Sequence, residues 1–325
     1  MNVNQLFEDF SSRKILVLGD VMIDAYLEGK VNRMSPEAPV PIVSFSSQEQ
    51  RLGGAANVAL NLLSLGANVT ICSVIGADTS GTDLQNLMHK QAISTEGLVS
   101  SVHRKTTVKT RVIGNNQQLL RVDNEQVNDI LKSEEEELIV KIEALLRTGF
   151  DAIIFEDYNK GVLTETLIKK VIDLAKKYKV ITTVDPKEKN FFAFKNVTLF
   201  KPNLKELRDG VKRMVDVHDK IDFEAAVQEM NMELKAENIF VTLSEHGVFI
   251  QNSSSKHYIP AHIRNIADVS GAGDTVISVA TLCLVAGLPI DKVAAFANLA
   301  GGLVCERVGV VAIDKDQLKS ELEKL

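Results

Sequence analysis

Tryptophan is absent from the chain and only 5% of its residues are aromatic, too few rings for a carbohydrate-stacking surface or a single-strand nucleic-acid platform. Cysteine is scarce as well. Cys72, Cys283 and Cys305 are widely spaced within apolar runs, with neither a disulfide framework nor a metal-ligand spacing, so buried thiols of a reducing compartment are expected. Basic surplus is missing too. The net charge of −6 offers no general attraction for nucleic acid or an anionic membrane, and a phosphate-bearing ligand must be held by local Lys, Arg and helix N-termini. No apolar run reaches the roughly 18 residues of a membrane span, and the N-terminus lacks the basic-then-apolar order of a secretion signal; a cytoplasmic protein is expected. His89, His103, His218, His246, His257 and His262 show no HExxH or paired-ligand spacing and are expected at surfaces and turns. Neither GxxxxGK[ST] nor a GxGxxG after the first strand occurs, which sets aside P-loop nucleotidases and dinucleotide-dependent dehydrogenases.

What is present is an alternation of short β-rich runs with helix-length segments. Lys14–Gly19, Asn68–Ile75, Ala152–Phe155, Val180–Val184 and Asn238–Leu243 read as strands. Gly53–Leu65, Ser133–Leu146, Thr164–Lys177, Gly271–Ala286, Ile290–Glu306 and Lys315–Leu325 read as helices. This order predicts an α/β fold with a central, mostly parallel sheet. Two stretches break the rhythm. Asp24–Arg51 has no helical period but carries Pro36, Pro39, Pro41 and the alternating run Val40–Phe45, and Thr106–Asp123 reads as a hairpin turning at Gly114-Asn115-Asn116. Together they are expected to form a small β-sheet lid, residues 24–51 and 106–123, on a single domain spanning 1–325.

The sharpest local signal is Asp268-Val269-Ser270-Gly271-Ala272-Gly273-Asp274-Thr275 followed by an apolar helix. Two glycines allow a tight turn, and the helix N-terminus aims unpaired N–H groups and a positive dipole end back at it, an anion site. Asp274 in the first turn puts a carboxylate beside that site. The pair suits phosphoryl transfer: the carboxylate accepts a proton from an attacking hydroxyl while the amides stabilise charge on the phosphoryl oxygens. Taken alone, Asp274 could equally complement the helix dipole.

Nine stretches decide between the two. LGDVMIDAY (18–26), RMSPEAPVPIV (33–43), LGGAANVALNLLSLGANV (52–69), NNQQLLRVD (115–123), EDYNKGVL (156–163), VDPK (184–187), KPNLKEL (201–207), VTLSEHG (241–247) and DVSGAGDT (268–275) resemble the ribokinase (PfkB) carbohydrate kinases along nearly the whole chain. The SPEAPVP and NQQLLR stretches narrow the resemblance to the D-glycero-β-D-manno-heptose-7-phosphate kinases, including the kinase half of bifunctional ADP-heptose synthases. The resemblance implies a ribokinase-like three-layer fold, Ala272 and Gly273 as the anion hole beside Gly271, Asp274 as the base, and ATP with Mg2+ as cosubstrate and metal.

On the substrate side Asp20 and Asp24 follow the first strand and are candidates for charge-assisted hydrogen bonds to sugar hydroxyls, with turn capping as the alternative for each. Gly53 and Gly54 open a helix that a sugar could approach closely, and Asn57 can donate to and accept from hydroxyls. Arg33, Lys109, Arg111, Arg121 and Lys187 are candidate cations for a substrate phosphate, Lys109 and Arg111 sharing one strand face. Asp157 and Lys160 follow a strand end, where α/β proteins put ligand contacts.

On the nucleotide side Asn203 and Glu206 match the family's NxxE, a pair organising Mg2+ and its waters; the same spacing is a capping box. Thr242, Ser244 and Gly247 occupy the position of the nucleotide-phosphate loop, with Ser244 where many relatives carry Gly. Asn298 matches a position near the adenine, or serves a helix–helix hydrogen bond. Asp268 and Val269 sit where relatives can bind a monovalent cation, which makes K+ a further candidate. The resemblance thus implies ATP-dependent phosphorylation of heptose 7-phosphate at the anomeric hydroxyl, on the route to ADP-heptose and lipopolysaccharide. The nucleotidyltransferase half is expected on a separate protein, and pairing of lids into a homodimer is expected. The rivals are a kinase of ribose, fructose or a fructose phosphate, and a ligand-binding relative without catalysis.

Overall fold

The computed structural model describes residues 2–262 and 264–324. The chain opens with α1 (Val3–Ser12), β1 (Lys14–Gly19), β2 (Val21–Met34), β3 (Pro41–Gly54), α2 (Ala55–Ser64), β4 (Asn68–Gly76), α3 (Thr79–Lys90) and β5 (Ser94–Ser101). It continues through β6 (Thr107–Gly114), β7 (Gln117–Asn124), α4 (Lys132–Leu146), β8 (Ala152–Glu156), α5 (Glu165–Tyr178), β9 (Ile181–Asp185), β10 (Leu199–Phe200), α6 (Leu204–Val211) and α7 (Lys220–Leu234). It closes with β11 (Asn238–Thr242), β12 (Val248–Gln251), β13 (Lys256–Ile259), α8 (Ala272–Val285), α9 (Ile290–Val304) and α10 (Lys315–Leu322). The last expected helix thus stops short of its expected end, and Leu325 itself, like Met1 and Ile263, lies outside the described residues.

Among the described residues the strands form two sheets. The larger has the order β13-β12-β11-β10-β9-β8-β1-β4-β5 and is parallel except at β11–β12 and β12–β13. Its central strands are continuous apolar runs because helices cover both faces. Ile15 and Val17 of β1 pack in the layer with α2, α8 and α9, while Leu16 and Leu18 pack in the layer with α4, α5 and α7. Cys72, Cys283 and Cys305 are buried. Register brings Gly19, Glu156 and Asp185 level across β1, β8 and β9, so the residues that follow these strands emerge side by side at the carboxyl edge, where open α/β sheets bind ligands.

The smaller sheet, β3-β2-β6-β7, is fed by β1 and leads into α2. The β6–β7 hairpin turns through Asn115 and Asn116 at φ 52° and 63°, left-handed positions that asparagine tolerates. Strand register pairs Asp24 with Lys109 and Arg51, and Arg111 with Tyr26 and Arg121. Alternation therefore gives the sheet one charged face, with Asp24, Lys109, Arg111 and Arg121, and one apolar face, with Leu27, Val112, Leu120 and Val122.

A second boundary also differs from expectation. Gly53 and Gly54 end β3 and do not open a helix; α2 begins at Ala55. Gly54 has φ +61°, and a Cβ there would strike the Asp20 carbonyl oxygen, so only glycine makes this strand-to-helix corner. Among the described residues no helix is long and apolar enough to cross a membrane.

Candidate active site

Asp274 lies in the first turn of α8 and is 6% exposed. Gly271, at φ 79°, caps the helix in the left-handed region, and a Cβ on it would come within 3.0 Å of Asn57 Nδ2. The carboxylate is gripped at both ends. Asn57 Nδ2 donates to Oδ2 at 2.6 Å, and the Tyr158 hydroxyl donates to Oδ1 at 2.9 Å. Burial drives the Asp274 pKa up to about 6; Asp185 adds to the rise, and the hydrogen bonds from Asn57 and Tyr158 oppose it. A carboxylate tuned near neutrality is poised to take a proton.

Around it runs an acidic cluster. Oxygens of Glu156, Asp185 and Asp274 lie within 4.8 Å of one another, and all three residues are buried. Burial, then the charges of Asp185 and Asp274, push Glu156 well above the usual carboxylate range. Two lysines offset part of this charge. Lys201 Nζ lies 2.8 Å from Asp185 Oδ2, and Lys187 Nζ lies 2.6 Å from Glu206 Oε1. Burial works against the Lys187 ammonium, but Asp185 and Glu206 outweigh it and raise its pKa. A Cβ built on Gly273 would stand 3.4 Å from Asp185 Oδ2 and 3.7 Å from Lys201 Nζ, so the turn, a cation and the carboxylates meet at one point. They line a cleft of about 440 Å³ together with Glu156, Tyr158, Lys187, Asn203, Thr242, Ser244 and Asp274.

The cluster fits a hard divalent cation. Its donors are carboxylate oxygens, and Glu156 Oε2 is buried without a hydrogen-bond partner among the described residues. Glu156 and Asp185 would hold such an ion while Asp274 keeps its two donors. Asn203 and Glu206 form the capping box of α6: Glu206 N donates to Asn203 Oδ1 and Asn203 N to Glu206 Oε2, each at 2.8 Å. Glu206 Oε1 is taken by Lys187, so this pair would reach a metal only through water.

In the smaller sheet, Asp24 Oδ1 accepts from Arg111 at 2.5 Å. Gly53 makes this possible, since a Cβ there would collide with the Asp24 carboxylate. Burial, then the neighbouring Lys160, pulls the Lys109 ammonium down, while Glu125 and Asp123 oppose the fall. Lys160 Nζ also meets Glu125 at 2.8 Å.

Several expected site residues stand elsewhere. Asp20 is not a free acceptor: it is 1% exposed, and its two oxygens accept the backbone amides of Tyr158, Lys160 and Val162. Asn57 faces Asp274. Lys187 lines the same cleft as Asp274 and pairs there with Glu206. Arg33 is exposed at the far end of β2, and Arg121 is exposed and paired with Asp123. Asp157 Oδ1 accepts from Asn159 N at 2.7 Å. Gly247 makes a turn at φ 87°, and Ser244 sits at φ 54°, a left-handed position that glycine adopts more readily than serine. Asp268 accepts from Ser270 and from Gly309 N, and Asn298 donates to the Pro260 carbonyl and not across helices.

Sequence reasoning passed over Glu156, Tyr158, Asp185 and Lys201. Each lies inside a stretch that carried the resemblance, EDYNKGVL, VDPK or KPNLKEL, and each follows or ends a strand at the carboxyl edge, which was the available signal.

Comparison with known proteins agrees with this geometry. The chain matches the family model described as pfkB family carbohydrate kinase over residues 12–317. It is 40% identical to the bifunctional protein HldE of Methylobacillus flagellatus over 95% of the chain and 63% of that protein, and 39% identical to HldE of Desulfatibacillum aliphaticivorans over 97% of the chain and 64% of that protein. It thus spans less than two thirds of the length of these curated relatives. Escherichia coli phosphofructokinase-2 in complex with potassium superposes with a TM-score of 0.77 at 19% identity, covering 96% of this chain and 99% of that one. Ribokinase from Thermotoga maritima superposes at 0.70 and 18%, with the same coverage; at such identities the likeness establishes the fold alone. With the ribokinase-like sheet, the helix-borne aspartate and the family match taken together, the chain belongs to the pfkB family of carbohydrate kinases.

Proposed function

We propose that this kinase transfers the γ-phosphoryl group of ATP to the anomeric hydroxyl of D-glycero-β-D-manno-heptose 7-phosphate, giving the 1,7-bisphosphate and ADP. The observation that carries the chemistry is Asp274, buried at the N-terminus of α8 on the wall of the 440 Å³ cleft, with a pKa raised to about 6. Asp274 takes the hydroxyl proton as the oxygen–phosphorus bond forms and the bond to ADP breaks. The Gly273 amide, with the Lys201 ammonium near it, faces the charge on the phosphoryl oxygens; the Ala272 amide donates to the Val269 carbonyl at 3.3 Å and would have to leave it to join. Magnesium, when held by Glu156 and Asp185, supplies neutralising charge to the nucleotide phosphates. Thr242, Ser244 and the capped Asn203 border the nucleotide end of the same cleft.

The choice of sugar rests on the SPEAPVP and NNQQLLR stretches, and the HldE relatives agree with it. The substrate phosphate is assigned to Lys109 and Lys160, and the Asp24–Arg111 pair to the sugar end. In this reading β2, β3, β6 and β7 are a lid on one domain, their charged face inward. The apolar face, with Leu120 and Val122 half exposed, pairs with a second copy. A monomeric mass by light scattering at micromolar concentration would remove the dimer. Potassium activation through the Asp268 turn belongs to the same proposal.

ATP turnover against a panel of sugars and sugar phosphates, with product position read by phosphorus NMR, tests the assignment. Heptose 7-phosphate should give a new anomeric phosphate. Turnover of fructose 6-phosphate with none of heptose 7-phosphate would reassign the sugar.

A further inference from the structure

The segment between β8 and α5 has no regular structure, yet it delivers a hydroxyl to the base. Residues 157–162 include two left-handed positions, Asn159 at φ 55° and Gly161 at φ 88°, which asparagine and glycine adopt at little cost. Asp20 holds the segment in place. Its Oδ2 accepts from Tyr158 N at 2.9 Å and Lys160 N at 3.0 Å, and its Oδ1 accepts from Val162 N at 3.0 Å. Arg104 adds a fourth hold, donating to the Lys160 carbonyl at 2.6 Å. The ring of Tyr158 lies under the Lys187 ammonium, 5.8 Å from its centroid, and its hydroxyl reaches Asp274 Oδ1.

We infer that Tyr158 is a positioning residue for phosphoryl transfer and that buried Asp20 acts through it, by fixing the loop that carries the hydroxyl. The physical reason lies in the aspartate side chain. Rotation about its last torsion is soft and broadly two-fold, so Asn57 alone, gripping Oδ2, leaves Oδ1 free to swing. A second donor on Oδ1 locks the carboxylate plane, and the remaining lone pairs then point in one direction toward the attacking hydroxyl. Reaction rates are sensitive to such alignment, a misplacement of about 1 Å costing on the order of 100-fold. Asp20 touches no reacting atom in this account, and Tyr158 touches only the base. The inference rests on Asp274 being the base.

The test measures kcat and KM for ATP and heptose 7-phosphate in Tyr158→Phe, Asp20→Asn, the double variant and Asp274→Asn, with thermal melts alongside. Tyr158→Phe should lose about 10- to 100-fold in kcat, keep both KM values within about threefold, and melt like the parent. Asp20→Asn should lose kcat likewise, and the double variant should fall no further than about threefold below the weaker single, because both act on one contact. A kcat for Tyr158→Phe within about twofold of the parent overturns the inference, as does a raised KM with kcat retained. Losses that multiply in the double variant overturn the part played by Asp20. Should Asp20→Asn fail to fold, Tyr158→Phe alone still decides the role of the hydroxyl. An active Asp274→Asn removes the underlying reading of the base, whereas an inactive Asp274→Asn beside an unimpaired Tyr158→Phe removes only this inference.

Discussion

Asn57 and Asp274 lie 217 positions apart in the chain, and the Asn57 amide donates to the Asp274 carboxylate at 2.6 Å. The contact links α2, the helix that follows β3, to the helix that begins at the glycine turn. It also favours the ionised form of Asp274, against the burial that opposes it. Asn57→Leu removes the donor, so the Asp274 pKa should rise above its present value of about 6. The acid limb of the kcat/KM profile, which reports the free enzyme, should move to higher pH in the variant. A profile that superimposes on the parent's would show that this amide does not tune the base.

Asp274 should cost stability as well as supply activity. Its folded pKa of about 6 stands above the ordinary 3.8, so the folded state binds the proton more tightly than the unfolded chain. Stability is then fullest below pH 4 and declines as pH rises to about 6, beyond which the penalty is constant, on the order of 3 kcal/mol for about two pKa units. Asp274→Asn removes the titration. Asn57 Oδ1, buried without a partner among the described residues, could accept the new amide after a flip of its side chain. Denaturant melts in metal-free buffer should find the variant more stable at pH 8 and similar to the parent at pH 3.5. Equal stability at both would contradict the assignment.

Gly53 is expected to tolerate no side chain. Gly53→Ala puts a methyl group against the Asp24 carboxylate and displaces it from Arg111. The KM for the sugar phosphate should rise about tenfold or more while that for ATP stays near the parent value, with a stability loss of about 1–3 kcal/mol. Steady-state kinetics with each substrate varied in turn checks the asymmetry.

The readings that succeeded and failed differ in the range of the interaction behind them. The turn at Gly271 and the hairpin at Asn115–Asn116 follow from residues adjacent in sequence, since left-handed backbone and a following apolar helix leave a local signature. Within the expected lid, Ser46–Gln50 carries no alternation of its own, because its residues are exposed or half-buried on both faces, and only the neighbouring run Val40–Phe45 marked the strand. For the same reason Gly53-Gly54, which suits a strand end and a helix start alike, was assigned to the helix. Asp20 and Asp24 look equivalent in sequence, yet one turns inward to amides 138 to 142 positions away and the other outward to Arg111. The acidic cluster was invisible for a related reason. Glu156 and Asp185 meet because the register of β8 and β9 sets them level, and register is a property of the assembled sheet.

The metal reading concerns Glu156. Glu156→Gln keeps the shape and removes the charge, so the Mg2+ concentration for half-maximal velocity should rise at least about tenfold, and the melting temperature should hold or increase because a buried carboxylate with an unpartnered oxygen is gone. A chelator should abolish activity of the parent, and Mg2+ should restore it. An unchanged Mg2+ requirement in the variant would move the ion away from this carboxylate.

The most direct test of the account is the chemical step in Asp274→Asn, followed in a single turnover with ATP, Mg2+ and heptose 7-phosphate at saturation and with nucleotide affinity measured by calorimetry. The account predicts a loss of about 10²- to 10⁴-fold in rate, the range for a lost general base, with the affinity for ATP within about threefold of the parent. A rate within tenfold of the parent would contradict it.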